Sequence, residues 1–450
     1  MNKYKYIVRD YHAIKEAEIK IDGITVLSGI NGCGKSTLSR WLYYLINGAK
    51  EFDNFLYADY KEKISRIINR MQFACMDLNR FRRTNNSIQA KDTLDKLYEA
   101  AEKLKTLKVY SNEQVENVQD LFLQALHTTT DFLSETLTGD IPDARKSRIF
   151  NYFDINVQNN DIHRAIDDFS ERNGRLIGNL TNKLYRDIKE RPYQTFIELI
   201  NKYFDNRNDA PSFIQLDEDG VNIMEGGHIA TLFGLQHAIY IDTPMAIEVG
   251  NTENIFWNAL REMMVYDTPT KDLSTEEKKI LLRIKDLLDG ETVLEENDFW
   301  DAKDLRYISR DKKVNIFLKD AATGFKTFSY LQRLLENGYL NEETLLMIDE
   351  PEAHLHPQWV VEFARLLVLL NKKLGLKIML ASHNPDMVAA IHDIANKEGV
   401  LANTNFYVAQ QESPDNHQYV YKDLEHEIGE IFESFNIALE NINRYGRVDL

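Results

Sequence analysis

Gly29-Ile30-Asn31-Gly32-Cys33-Gly34-Lys35-Ser36 follows the apolar run Ile24-Thr25-Val26-Leu27-Ser28 and leads into Thr37-Leu38-Ser39-Arg40-Trp41-Leu42-Tyr43-Tyr44-Leu45. The octet satisfies G-x-x-x-x-G-K-[ST] in full, with strand-type sequence before it and helix-type sequence after it. The glycines let the backbone curl until its N–H groups point inward as an anion nest, and the helix N-terminus adds positive partial charge. In such a loop Lys35 reaches the β- and γ-phosphates of a nucleotide and the Ser36 hydroxyl ligates Mg2+. Asn31, Gly32, Cys33, Gly34 and Thr37 complete the expected nucleotide contacts, so ATP and Mg2+ are the expected cofactors.

Much further along the chain, Leu345-Leu346-Met347-Ile348-Asp349-Glu350 is an apolar run ending in two carboxylates. A buried strand of this kind delivers carboxylates to the C-terminal edge of a sheet, where nucleotides bind in α/β folds. Asp349 is placed to hold Mg2+ and Glu350 to orient or deprotonate an attacking water. A second buried strand, Lys377 to Ala381, leads into Ser382-His383-Asn384-Pro385 at the same edge. Apolar strands alternating with helices indicate a mostly parallel sheet covered on both faces.

The pattern between these motifs sets the expected organisation. Short strands are expected at Tyr4–Val8, Ala17–Lys20 and Ile24–Ser28, then a helix from Lys35 ending near Asn47-Gly48. Residues 51–234 read as a mainly helical insertion between an N-terminal part of an ATPase head, 1–50, and a C-terminal part, 235–450. Later strands are expected at Ala238–Ile241, Leu305–Ser309, Val314–Leu318 and Asn405–Val408, with an acidic helix from about Asp423 to Asn443 closing the chain. The fold class is α/β: a P-loop ATPase head with a mostly parallel sheet, interrupted in sequence by helices.

The phrases LLMIDEPEAHLHPQW and LASHNPDMV resemble the ABC-type ATPases, and more closely the RecF/SMC/OLD-like branch shared by prokaryotic defence ATPases such as those of Septu, PARIS and retron-associated systems. The resemblance covers residues 1 to about 48 and 236 to 410. It implies two heads sandwiching two ATP molecules, with a signature segment of one head touching the γ-phosphate held by the other. Here that segment is Ala322-Thr323-Gly324, with Ala322 where the family carries serine. It also implies that Glu350, His383 and Lys35 form the catalytic group, with His383 sensing the γ-phosphate. No glutamine follows the strand Ala238–Ile241, where the family places one; the sequence there is Asp242-Thr243-Pro244. His354 and His356 match no standard zinc spacing.

Composition narrows the partners. The chain has 450 residues, 43% of them hydrophobic and 28% charged, and a net charge of −17. That balance argues against a broadly basic nucleic-acid protein, although Arg80, Arg82 and Arg83, and Arg145, Lys146 and Arg148, leave local DNA contact open. Two cysteines exclude a disulfide framework and fit a reducing cytoplasm. No apolar stretch is long enough for a membrane span, and the start MNKYKYIVRDYH has no signal-peptide core. Three roles stay open: a regulatory ATPase of antiphage defence that pairs with itself and controls a separate effector, expected to be a nuclease; a RecF/SMC-like repair ATPase; and a nucleotide-gated scaffold with little turnover. The insertion is expected to be a docking platform, with Phe52, Phe55, Tyr57, Phe122, Phe132, Phe150, Tyr152 and Phe153 supplying its core and any exposed anchors.

Overall fold

The computed structural model describes residues 3–79, 87–138, 141–153, 162–204, 206, 209–242, 254–265, 272–297, 302–413 and 416–433. Residues 1–50 and 200–450 form one compact unit, the head, and residues 51–199 form a second.

The head begins with β1 (Tyr4–Tyr11), β2 (Ile14–Ile21) and β3 (Ile24–Ser28), followed by the start of helix α1 (Lys35–Asn79). In the second unit come α2 (Ser87–Lys105), α3 (Asn112–Leu137), α4 (Asp143–Tyr152), α5 (Ile162–Glu190) and most of α6 (Tyr193–Tyr203). The head resumes with β4 (Phe213–Glu218), β5 (Val221–Asn222), β6 (His237–Ile241), α7 (Ile255–Val265), α8 (Thr275–Leu288), β7 (Gly290–Asn297), β8 (Ala302–Ser309) and β9 (Asn315–Phe317). It ends with α9 (Thr323–Glu336), β10 (Thr344–Asp349), α10 (Pro357–Leu374), β11 (Lys377–Ser382), α11 (Pro385–Glu398), β12 (Thr404–Ser413) and β13 (Asn416–Asp423).

Ten strands form one sheet in the order β5-β4-β1-β2-β13-β12-β3-β11-β10-β6. Its heart, β12-β3-β11-β10-β6, is parallel throughout. The other half is joined on by the antiparallel β12–β13 pairing and is antiparallel except for the parallel β13–β2 pair. Every residue of β3, β10 and β11 is buried, which is why these strands read as continuous apolar runs and not as alternation. One set of alternate residues, including Val26, Leu346, Ile348, Ile378 and Leu380, packs into a core with α8, α9, α10 and α11. At the β6 edge the Asn47 side chain donates to the Ala238 carbonyl at 2.8 Å and accepts from its N–H at 3.0 Å, standing in for a missing strand neighbour.

Several elements depart from the sequence expectation, each for a physical reason. Helix α1 does not stop near Asn47-Gly48: Gly48 keeps helical backbone, and the Asn47 amide is committed to β6 and cannot cap. Residues 200–234, expected in the insertion, group with the head because β4 pairs with β1 from Tyr4↔Glu218 to Arg9↔Phe213. The buried Glu218 carboxylate fastens the rest, accepting from the Tyr4 hydroxyl and from the Phe233 and Gly234 N–H groups. Residues 416–423 are a strand hairpinned onto β12, so the closing helix does not begin at Asp423; residues 434–450 lie outside the described residues. A separate three-stranded sheet, β7-β8-β9, includes β7, which the sequence reading passed over.

In the second unit α3 packs against α2 and α5. Phe52, Phe122, Phe132, Phe150 and Phe153 are buried there, while Tyr152 is exposed, as are Phe73, Tyr98 and Tyr110. Arg145 and Arg148 both face Asp77 at 3.9 Å, which offsets part of that basic cluster. Arg80, Arg82 and Arg83 lie outside the described residues. No helix among the described residues is long and apolar enough to cross a membrane.

Helix α10 supplies a direct check of the core. Phe363 is 1% exposed and meets Phe328 edge-on at 5.6 Å, whereas Val361 on the same helix is 45% exposed. Phe363→Ala is expected to cost the head about 3–5 kcal/mol, and Val361→Ala less than about 0.5 kcal/mol. Scanning calorimetry of the two variants reads the difference as a large and a negligible drop in melting temperature.

Candidate functional site

A cavity of about 890 Å³ opens in the head at the C-terminal edge of the parallel strands. Its floor is the loop between β3 and α1, its far wall the end of β10, and its flanks Tyr11 of β1, Asp242 just past β6 and residues of α7. Asn31, Gly32, Gly34, Lys35, Ser36, Thr37, Asp349 and Glu350 all line it.

The loop is shaped by the sheet behind it. Gly34 adopts φ +99°, and a Cβ there would stand 2.6 Å from Ile14 of β2. At Gly29, φ +154°, a Cβ would meet Ala409 of β12 at 2.8 Å and the Cys33 sulfur at 2.9 Å. Gly32, φ +83°, has open space where a Cβ would be; there the backbone turns toward the cavity with nothing in front of it. Cys33 is fully buried and does not line the cavity, and its carbonyl accepts from the Tyr421 hydroxyl of β13 at 3.1 Å. Burial and the neighbouring Cys33 hold the Tyr421 phenol well above its usual range, so it stays a donor.

Two opposite charges are buried at this cavity with no counter-charge among the described residues. The Lys35 ammonium, 8% exposed, donates to the Gly29 carbonyl at 2.8 Å and the Ile30 carbonyl at 3.0 Å, with the Cys33 sulfur at 3.7 Å. Among the described residues Asp349, 3% exposed, is met only by hydroxyls: Tyr240 at 2.7 Å on Oδ2, Ser39 at 3.1 Å on Oδ1, and Ser36. Burial raises the Asp349 carboxyl above the usual range, and those hydroxyls pull it only part of the way back. No ion pair joins Lys35 to Asp349. A buried charge without a partner is costly, of order several kcal/mol, and the arrangement fits an arriving anion at Lys35 and an arriving cation at Asp349. The donor set therefore suits a nucleotide triphosphate with a divalent metal: amides, ammonium and hydroxyl for the phosphates, a carboxylate and a hydroxyl for the ion.

Glu350 follows in a left-handed turn, φ +50°, an uncommon conformation for a residue with a side chain. Its N–H is tied to the Ala381 carbonyl of β11 at 2.8 Å, which holds the turn and leaves the carboxylate about half exposed. The His383 Nδ1 lies 3.8 Å from Glu350 Oε1 and 3.6 Å from Glu352 Oε1. Glu352 is buried and accepts the His383 N–H at 3.1 Å; desolvation raises its carboxyl. His383 is thus beside Glu350 but outside the cavity lining. Ala322, Thr323 and Gly324 sit at the start of α9, also outside it. Gly324 is buried because a Cβ would come within 2.8 Å of the Trp359 ring, so its smallness has a packing reason. His356 caps α10, and no group of three or more metal-ligating side chains occurs among the described residues.

Sequence reading did not find Ser39, Tyr240, Tyr421 and Glu352. Ser39 had a local signal, lying one turn beyond Lys35 on the same helix. Glu352 stands within the phrase after Asp349, but its partner, the His383 N–H, comes from just past the neighbouring strand; Tyr240 and Tyr421 act through strand pairing and chain return, which leave no mark in a single motif.

A family profile described as AAA ATPase domain (AAA_15) matches residues 4–388. Energy-coupling factor transporter ATP-binding protein EcfA3 of Clostridium perfringens is 39% identical over 85 residues, 18% of this chain and 30% of that protein. Methionine import ATP-binding protein MetN of Lactobacillus delbrueckii subsp. bulgaricus is 31% identical over 99 residues, 22% of this chain and 26% of that protein. The chain thus spans less than a third of the length of these relatives. Among solved structures, the SmcHead bound to the C-winged helix domain of ScpA aligns with TM-score 0.38 at 11% identity, covering 95% of this chain and 98% of that one. The Pyrococcus furiosus Smc head domain with an extended coiled coil, bound to the C-terminal domain of ScpA, aligns with TM-score 0.34 at 10% identity, covering 98% and 100%.

The brace behind the loop is testable by itself. Tyr421→Phe removes one hydrogen bond to the Cys33 carbonyl, worth about 1 kcal/mol, and leaves the ring in place. Amide hydrogen exchange across residues 29–36 should speed up several-fold while exchange in α10 is unchanged.

Proposed function

The chain belongs to the AAA ATPase domain family, and from that premise we propose that it binds Mg2+–ATP in the Lys35–Asp349 cavity and hydrolyses it as an ABC-type ATPase. The observation that carries the reading is the pair of buried, unpaired charges facing one cavity. Lys35 would exchange its two loop carbonyls for β- and γ-phosphate oxygens, and the amides of residues 31–36 would cradle the phosphates. Ser36 and Asp349 would hold Mg2+, which supplies charge neutralisation on the phosphate oxygens. Glu350, about half exposed beside the cavity, would orient the attacking water and take its proton, leaving ADP and phosphate. His383, held by its backbone to Glu352, would sense the γ-phosphate from beside Glu350. The two relatives matched over short stretches, both ATP-binding proteins by name, support the nucleotide assignment.

The same reading extends to pairing and partners. Ala322 is exposed at the N-terminus of α9, available to meet a nucleotide held by a second copy, where the helix N-terminus adds positive partial charge. ATP bound between two heads would stabilise the pair by linkage. The resemblance of residues 345–359 and 380–388 to defence ATPases supports a regulator of a separate effector, a nuclease, in antiphage defence.

Isothermal titration with ATP and Mg2+ tests the site. Lys35→Ala should weaken binding about 10- to 100-fold, as expected for loss of a charged hydrogen-bonding group, and Glu350→Gln should retain affinity while blocking turnover. Unchanged affinity in Lys35→Ala would remove the assignment. Pairing is checked by sedimentation of Glu350→Gln with and without ATP: the mass should double with ATP, and adding Ala322→Asp should prevent the doubling without altering ATP affinity. Gly324 is unsuitable for that test because Trp359 occupies the space.

A further inference from the structure

Strand β6 ends beside β10, and the two run parallel with Met347 opposite Tyr240 and Ile348 opposite Ile241. Side chains alternate along a strand, so Tyr240 and Asp242 share the face that carries Met347 and Asp349. Continuing the register sets Asp242 next to Asp349, two carboxylates on neighbouring strands at one cavity. Left alone, such a pair repels.

The Tyr240 hydroxyl lies between them, 2.7 Å from Asp349 Oδ2 and 3.2 Å from Asp242 Oδ1. A phenol carries one proton and can donate to only one of the two. Arg40 decides which. It lies one helical turn past Ser36 on α1, and its Nη2 reaches Asp242 Oδ1 at 3.3 Å and Oδ2 at 3.5 Å. With a guanidinium on Asp242, the phenol proton is free for Asp349, where the bond is the shorter. Ser39 then fills Oδ1 of Asp349 at 3.1 Å, so both oxygens are oriented by donors.

We propose that Tyr240 is a positioning residue for the Asp349 carboxylate, and that the Arg40–Asp242 ion pair keeps the Tyr240 hydroxyl donating to Asp349. Asp242 therefore has a role of its own at a position that lacks the family's glutamine. The inference rests on the reading of Asp349 as a Mg2+ carboxylate, and it adds that metal use by the nucleotide depends on an ion pair in the cavity wall. Hydrogen-bonded carboxylates of this sort commonly set metal affinity: losing the outer partner costs about 10- to 100-fold.

The experiment is isothermal titration of ATP into the full chain, once with Mg2+ and once with EDTA, for wild type, Tyr240→Phe, Arg40→Gln and Arg40→Gln/Asp242→Asn. The quantity read is the gain in ATP affinity that Mg2+ confers. Tyr240→Phe keeps the ring, which packs edge-on against Phe256 at 4.7 Å, so the fold is preserved. It should cut the Mg2+-dependent gain about 10-fold or more and leave metal-free ATP affinity unchanged. Arg40→Gln should cut the gain in the same way, because Asp242 then competes for the phenol proton. Asp242→Asn in that background should restore most of it, which loss of mere structural support would not do. An unchanged Mg2+ gain in Tyr240→Phe overturns the inference. So does an Arg40→Gln defect that is equal with and without Mg2+, which would make Arg40 a phosphate contact, and so does a double variant no better than Arg40→Gln. Wild type that binds no ATP under either condition would overturn the proposed function itself, a result distinct from each of these.

Discussion

The head buries an ammonium and a carboxylate, and among the described residues neither is paired with an opposite charge. Lys35 rests on loop carbonyls and Asp349 on hydroxyls, partners that satisfy geometry but do not cancel charge. In a low-dielectric interior that is an unfavourable state unless something charged completes it. The rest of the head can be read as the scaffold that keeps these two groups apart, at one cavity, on rigid elements.

Two features supply the rigidity. The parallel strands β3, β10 and β11 are buried along their whole length, so their C-terminal ends are fixed by packing and the turns that follow inherit that precision. Behind the loop of residues 29–36, Ile14, Ala409 and Tyr421 of β2, β12 and β13 close off the space that side chains at Gly29 and Gly34 would need. The loop's shape therefore depends on a hairpin near the other end of the described chain. Glu350 shows the same economy: one backbone bond to Ala381 keeps it in a left-handed turn, and that turn presents its carboxylate at the cavity.

Much of this was legible in the sequence, and the legible part is local. The loop, the apolar strand ending in Asp349-Glu350 and the strand before His383 are contiguous patterns whose chemistry follows from residue type and spacing. What escaped reading is non-local. Tyr240 and Asp349 meet only because β6 pairs with β10, and Tyr421 reaches Cys33 only because β13 returns beside β2. Helix α1 ran on past Gly48 because Asn47, a good capping residue by type, is engaged with β6. Segment 200–234 reads as part of the helical insertion because only two of the six residues of β4 are buried and it carries no apolar strand pattern, and its place is set by pairing with β1 and by the buried Glu218. Gly324 is the converse case, a residue with a motif-based reading that the Trp359 ring explains by packing.

The most direct test of the account is a crystal structure of Glu350→Gln with ATP and Mg2+. In it the Lys35 ammonium is expected to leave the Gly29 and Ile30 carbonyls for phosphate oxygens, with Mg2+ between the Ser36 hydroxyl and Asp349. Nucleotide bound elsewhere, with Lys35 still on the two carbonyls and no ion beside Asp349, would contradict it.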